Sequence, residues 1–108
     1  MDTTGEYAMS DLLTLIVSER AEGLSVTPGQ APAVHLRGEL HRIEGPAVSP
    51  EHAESLLRSL ADTRQMRDLY ERGAAEFLFT FRDTARFRVE ARSEHEQIQF
   101  HIHAIAAS

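Results

Sequence analysis

The sequence predicts an α+β fold in which a mostly antiparallel sheet of about six strands carries helices on one face. Three segments place apolar residues at helical spacing, and six shorter ones alternate apolar with polar residues. Their order is one helix, three strands, two helices and three strands. The chain has 108 residues and neither an internal repeat nor a low-complexity stretch. We therefore expect one domain, residues 10–108, after a flexible lead-in, residues 1–9.

The first helix is predicted to follow this lead-in. Ser10 has a side chain that can cap a helix, and Gly23 has the backbone freedom that suits a helix end. Between them, apolar residues recur every three or four positions, as a buried helix face requires. We expect that face to consist of Leu12, Leu13, Ile16 and Val17.

Three short strands come next, at residues 24–26, 34–37 and 40–43. The sequence Thr-Pro-Gly-Gln between the first two is typical of a turn. Gly38-Glu39 is the predicted tight turn between the second and third strands, because glycine tolerates the positive φ of hairpin turns. We therefore expect a hairpin at this point.

Two helices are predicted after the hairpin. The Ser-Pro-Glu sequence at residues 49–51 combines a capping hydroxyl, a proline at the first helical position and an acid near the positive helix end. A shorter helix is expected to begin at Asp62 or Thr63 and to end at Gly73. The residues predicted to be buried are Ala53, Leu56, Leu57 and Leu60 in the first helix and Met66, Leu69 and Tyr70 in the second.

The last third of the chain predicts a three-stranded antiparallel meander. Apolar and polar residues alternate in three consecutive runs, which places one face of each strand in the core. The apolar residues expected on that face are Phe77, Phe79 and Phe81, then Phe87, Val89 and Ala91, then Ile98, Phe100, Ile102 and Ala104.

Composition excludes several classes of protein. The absence of cysteine rules out disulfide frameworks, thiolate metal sites and cysteine nucleophiles. A formal net charge of -6 disfavours binding to nucleic acid, which depends on a surplus of basic residues. No apolar run approaches the roughly 20 residues of a membrane-spanning helix, and no signal-peptide pattern opens the sequence. We expect a cytoplasmic protein that neither spans a membrane nor binds nucleic acid.

Polar residues alternate outward on the last two predicted strands. Arg86 and Arg88 lie on one strand, and His101 and His103 lie on the next. Arginine forks and histidine donors can bind a phosphate or carboxylate, so these four residues are the candidate interaction surface or anion contact. An ordinary solvated sheet face explains the same residues. The His-x-His pair lacks the third and fourth ligands of a metal site, so no metal is predicted.

No catalytic motif is present. The sequence has no Gly-x-Ser-x-Gly elbow, no His-Glu-x-x-His and no Gly-x-Gly-x-x-Gly. Because it has no lysine, it cannot form the Gly-x4-Gly-Lys-[Ser/Thr] phosphate-binding loop. We predict no enzyme activity and no cofactor.

Three stretches in unbroken order carry a family resemblance. They are LSVTPGQAPAVHLRGEL at residues 24–40, GPAVSPE at 45–51 and ARFRV at 85–89. They resemble the N-terminal, PAS-like domain of the PilT family of type IV pilus retraction ATPases and type II and IV secretion ATPases. The family's Ser-Asp-Leu-His-Leu is replaced here by Glu-Gly-Leu-Ser-Val at residues 22–26. Arg86 and Arg88 are the arginines that match.

This resemblance implies a fold and a function. In the family, the domain precedes a RecA-like ATPase domain, packs on a neighbouring subunit's ATPase domain in a hexameric ring and supplies arginines toward the nucleotide. The resemblance implies a non-catalytic interaction and assembly module of twitching motility or secretion. Its partner would be a pilus or secretion ATPase subunit or a pilus-base protein, and weak homo-oligomerisation is compatible with that role.

Two other functions stay open at this point. One is a PAS-like sensor that holds a small ligand between sheet and helices, in a pocket lined by Met66, Tyr70 and the row of phenylalanines at 77–81. The other is a weak anion or metal binder that uses Arg86, Arg88, His101 and His103.

Overall fold

The computed structural model describes residues 7–83 and 85–105. Within these residues the elements follow the predicted order of one helix, three strands, two helices and three strands. They are α1 (Met9–Glu19), β1 (Gly23–Val26), β2 (Ala33–Leu36), β3 (Glu39–Arg42), α2 (Pro50–Arg58), α3 (Thr63–Arg72), β4 (Ala74–Phe81), β5 (Ala85–Glu94) and β6 (Gln97–Ala104). The α+β prediction is therefore confirmed.

The six strands form one sheet in the order β3-β2-β1-β6-β5-β4. Every neighbouring pair is antiparallel. Strands β1 and β6 lie at the centre and join the first half of the chain to the last. Their pairing places Leu24 opposite Ile102 and Ser25 opposite His101.

The core lies between the helices and one face of the sheet. Strand residues that alternate inward, such as Phe87, Val89 and Phe100, are at most 1% exposed. They share one buried cluster with Ile16 of α1 and Leu57 of α2. At about 25 cal/mol per Å² of apolar surface, burial of such side chains is the main term that stabilises the fold.

Helices α2 and α3 begin as the sequence predicts, and α3 also ends as predicted. Helix α2 ends at Arg58, so Leu60, which was predicted within it, lies in the following turn, where it is still buried. The hydroxyl of Ser49 accepts a hydrogen bond of 3.0 Å from the backbone N–H of His52. Asp62 and Gln65 form a reciprocal capping box at the start of α3. Gly73 follows that helix in the left-handed region, with φ 82°.

Helix α1 differs from the prediction at both ends. It begins at Met9, and Ala8 precedes it without a side-chain cap, so Ser10 lies inside the helix. It ends before Arg20, which adopts the left-handed conformation with φ 55°. Gly23 is therefore not the helix end but the first residue of β1. Arg20 can take this role because its N–H bonds back to the last turn.

The expected lead-in of residues 1–9 overlaps α1 and the packed residue before it. The hydroxyl of Tyr7 donates a hydrogen bond of 2.7 Å to the carbonyl of Pro46. The ring of Tyr7 stacks on His52, with centroids 6.1 Å apart. Residues 1–6 lie outside the described part of the chain.

Two of the hairpins turn through two-residue loops in which both residues have positive φ. Arg37 and Gly38 connect β2 to β3, with φ of 52° and 80°. His95 and Glu96 connect β5 to β6, with φ of 52° and 65°. Positive φ at both central positions is the signature of the type I′ turn, whose twist matches that of the strands. The first turn thus lies one residue earlier than the predicted Gly38-Glu39.

Several residues predicted in the core are exposed or only partly buried. Val17 and Tyr70 are each 49% exposed. Phe79 and Phe81 are partly buried because β4 is an edge strand, which has a neighbour on one side only. Ala104, the last residue of β6, is also exposed although it was predicted in the core.

Tyr70 is exposed because its hydroxyl has polar partners at the surface. It donates to the carboxylate of Glu54, and Arg58 donates to both Glu54 and Tyr70 at 3.0 Å. The hydrogen bond from Tyr70 is the main cause that lowers the pKa of Glu54. This cluster joins α2 to α3 at the surface.

Candidate interaction surface

The face of the sheet that points away from the core is polar, and we call it the open face. Its residues follow from the strand register, because side chains directly opposite each other point to the same side. It consists of Ser25, Ala33, His35, Leu40, Arg42, Ala74, Glu76, Leu78, Thr80, Arg86, Arg88, Glu90, Arg92, Gln99, His101 and His103, with Gly23 at its centre.

Ser25 links two histidines at the middle of the open face. Its hydroxyl oxygen lies 2.7 Å from Nε2 of His35 and 2.7 Å from Nδ1 of His101. The hydroxyl has a single proton, so it donates to at most one ring and accepts from the other. Partial desolvation lowers the pKa of His101, and the neighbouring rings of His103 and His35 lower it further. His101 is therefore neutral near pH 7.

Gly23 leaves a depression beside these rings. It lies between His35 of β2 and His103 of β6. The depression has a volume of about 200 Å³, and its lining includes His35, His101 and His103. A Cβ atom on Gly23 would lie 2.3 Å from the carbonyl oxygen of Ile102, which is closer than atoms can approach. Glycine is thus needed for the close contact of β1 with β6.

Arg88 and His103 share a network with two acids. Nη1 of Arg88 lies 3.0 Å from a carboxylate oxygen of Glu76 and 3.2 Å from one of Glu90. The other oxygen of Glu90 lies 3.2 Å from Nε2 of His103. Arg88 is therefore held by two carboxylates of its own chain, which weakens its capacity to bind an external anion.

Arg86 lies apart from this network, at the end of the sheet. It borders a concave site of about 780 Å³, which we call the end groove. The groove lies where β5 begins and β6 ends, beside the last turn of α1. Its lining is Ile16, Val17, Arg20, Ala21, Glu22, Ala85, Arg86, Phe87, Ala104 and Ile105.

The structure thus separates the four predicted site residues into three environments. Arg88 and His103 meet through Glu90, His101 bonds to Ser25, and Arg86 borders the end groove. Ser25 was missed because its partner strand β6 lies far along the chain. Its outward position beside Leu24 was visible in the alternation, but the pairing of β1 with β6 was not.

The alternative sites receive less support from the geometry. Within residues 7–83 and 85–105, no group of three or more acidic, histidine or cysteine side chains is arranged to hold a metal. Of the predicted sensor pocket, Met66 and Phe77 are buried in the core, whereas Tyr70 is at the surface. Among the described helices, none has the length and apolar character needed to cross a membrane.

Together, the fold and the open face define a six-stranded antiparallel α+β domain with helices on one face. No protein-family model matches the sequence. The sequence is 26% identical over 83 residues to the type IV pilus retraction ATPase PilT of Pseudomonas aeruginosa, covering 77% of this chain and 24% of PilT. It is 29% identical over 80 residues to the type IV pilus ATPase PilU of the same strain, covering 74% of this chain and 21% of PilU.

Solved structures share the fold. The pilus retraction motor PilT with bound ADP superposes with a TM-score of 0.86 at 19% identity, covering 95% of this chain and 30% of that one. The ATPase DotB of Legionella pneumophila gives a TM-score of 0.82 at 19% identity, covering 100% of this chain and 32% of DotB. The chain spans about a quarter of the length of the curated relatives it matches. These partial matches confirm the resemblance to the N-terminal domain of type IV pilus and secretion ATPases.

Proposed function

We propose that this chain is a non-catalytic interaction module that docks on a pilus or secretion ATPase subunit, or on a pilus-base protein. The observation that carries the proposal is the extent of the structural match. The match to PilT takes in 95% of this chain but 30% of the motor chain. A domain that has its own core and matches less than a third of the motor chain is suited to bind the motor rather than to hydrolyse ATP.

The chemistry of the sequence supports a non-catalytic role. The 108 residues include no lysine, and an ATP-binding loop of the Gly-x4-Gly-Lys-[Ser/Thr] type requires one. The polar groups of the open face are largely engaged with one another, as with Ser25 and His101 at 2.7 Å. Such a network gives the face a fixed shape for a partner. We also propose that the chain binds the ATPase in the cytoplasm, where ATP is available to the motor.

The proposed docking surface comprises the open face and the end groove beside it. Arg86 and Arg88 are both exposed on β5, and they lie two residues apart on the same side of the strand. Arg88 forms ion pairs with Glu76 and Glu90, whereas Arg86 borders the end groove. We assign contact with the partner to this surface, with His101 and His103 at its centre.

Binding to the organism's own PilT-type ATPase tests this function. The organism's own full-length ATPase and P. aeruginosa PilT are immobilised separately, and binding of the chain to each is measured over a range of chain concentrations. We expect saturable binding by the wild-type chain and no ATP hydrolysis by the chain alone. Absence of binding to either ATPase and to the pilus-base proteins would refute the docking function. ATP turnover that disappears when one residue of this chain is changed would refute the non-catalytic role.

A further inference from the structure

The end groove combines apolar walls with two arginines. Ile16 and Phe87 form its floor and are each 1% exposed. Val17 and Ile105 form its rim and are 49% and 41% exposed. Val17 and Ile105 are therefore two large, exposed apolar side chains that border the same concave site. Leu40 and Leu78, by contrast, lie on opposite edge strands of the sheet.

The two arginines of the groove are available to an external acid. Within residues 7–83 and 85–105, no carboxylate lies within 4.0 Å of the guanidinium of Arg20 or Arg86. Glu22, the acid in the lining, accepts a hydrogen bond of 3.3 Å from the backbone N–H of Gly38. The groove thus combines an apolar floor with two arginines that have no acidic partner among the described residues, and aromatic or aliphatic pockets beside arginine are the combination that concentrates binding energy at interfaces.

The charge of the chain makes this site selective. The formal net charge is -6, so an acidic partner segment is repelled by most of the surface. At the groove, two arginines outnumber the single Glu22. On the rest of the open face, an acid would have to compete with Glu76 and Glu90 for Arg88. Charge complementarity therefore favours the groove as the place where a partner's carboxylate binds.

We propose that the end groove anchors the partner: it receives an apolar side chain of a segment of the ATPase, and Arg20 and Arg86 bind an Asp or Glu beside that side chain. This inference rests on the proposed function and names the contact through which it operates. The rim residues Val17 and Ile105 are exposed, so a protruding segment of a protein can contact the groove.

Site-directed photo-crosslinking tests whether the partner binds at the end groove. Because the chain has no cysteine of its own, a single introduced cysteine is the only site that the label can modify. A benzophenone group is attached to a Val17→Cys variant at the groove and, as the matched control, to a Leu78→Cys variant on the open face at β4. Both positions are exposed, so neither label disturbs the core. We expect the Val17→Cys variant to crosslink to the full-length ATPase. Mass spectrometry of the product should find an apolar residue next to an acid.

Charge removal provides the quantitative test. The double variant Arg20→Gln, Arg86→Gln should bind the ATPase on the order of tenfold more weakly, since each arginine would lose a charged hydrogen bond. Arg67→Gln, an exposed change on α3, is the control and should bind like the wild type. Thermal melts establish that all variants are folded.

The outcomes separate the two proposals. Wild-type binding that the double variant retains, or crosslinks from position 78 in place of position 17, would overturn the groove anchor and leave the docking function intact. No binding by the wild type would overturn the docking function and the anchor together. Binding that weakens in the double variant and in higher salt, with crosslinks from position 17, is the expected result.

Discussion

Replacement of Gly23 by alanine should destabilise the fold strongly, although it adds a single methyl group. The added Cβ would lie 2.3 Å from the carbonyl oxygen of Ile102 and 3.4 Å from the Cα of His103. Both contacts are with the backbone of β6, so no side chain can rotate to relieve them. Strands β1 and β6 would have to separate by about 1 Å, since carbon and oxygen do not approach much closer than about 3.3 Å.

The expected cost follows from the position of β1 in the sheet. β1 is bonded to β2 on one side and to β6 on the other, so a shift away from β6 disturbs both ladders. Overpacking of this kind costs about 1–3 kcal/mol, and we expect the upper end here. For a domain of this size, a loss of about 3 kcal/mol lowers the Tm by more than about 10 °C.

Urea unfolding followed by circular dichroism measures this change. Gly29→Ala is the matched control, because a Cβ there meets no atom within 4 Å and the cost comes from the positive φ of 91° alone. That cost is about 1–2 kcal/mol. A Gly23→Ala variant within about 0.5 kcal/mol of the wild type, or more stable than Gly29→Ala, would show that β1 and β6 are not packed as closely as described.

Three further outcomes are expected. Ile102→Ala, at a site 1% exposed, should cost about 2–5 kcal/mol in urea melts, and Phe79→Ala less because that side chain is partly buried; equal costs would contradict the edge position of β4. The pKa of His101 is lowered in the folded state, so its contribution to stability is complete above the ordinary pKa of 6.5 and declines as the pH falls below it. His101→Gln should flatten the pH dependence of the unfolding free energy between pH 7 and pH 5, and an unchanged slope would argue against this assignment. The pair His95→Asn, Glu96→Gly should stabilise the fold by about 1 kcal/mol in thermal melts, because both positions have positive φ; a loss of stability would contradict the type I′ turn.

Local patterns in the sequence were sufficient for most of the fold. The capping residues Ser49 and Asp62 and the terminal Gly73 are local signals, and each has the predicted role. The alternation in β5 and β6 likewise identified Phe87 and Phe100 as core residues, because the side chains of a strand alternate whatever its neighbours are.

The errors occur where distant parts of the chain decide the outcome. Val17 has the helical spacing of a core residue, but the last turn of α1 borders the end groove, so its side chain is half exposed. Gly23 follows α1 in the sequence, as a helix-end signal should. Glycine is nevertheless needed there for another reason, because a Cβ atom would clash with the carbonyl oxygen of Ile102, in a strand near the other end of the chain. The turn at His95 and Glu96 has no glycine, so its type could not be recognised from composition.

The candidate surface shows the same limit and its functional consequence. The sequence places Arg86 and Arg88 on one side of β5, which suggests a pair of equivalent donors. The register of β5 against β4 brings Arg88 opposite Leu78. Glu76 lies two residues from Leu78 on the same side of β4, and it forms the ion pair of 3.0 Å with Arg88. Arg86 lies opposite the uncharged Thr80 and borders the groove, and among the described residues it has no acidic partner. A partner's acid must displace a carboxylate at Arg88 but only water at Arg86, so the two arginines, though alike in sequence, should differ in their contribution to binding.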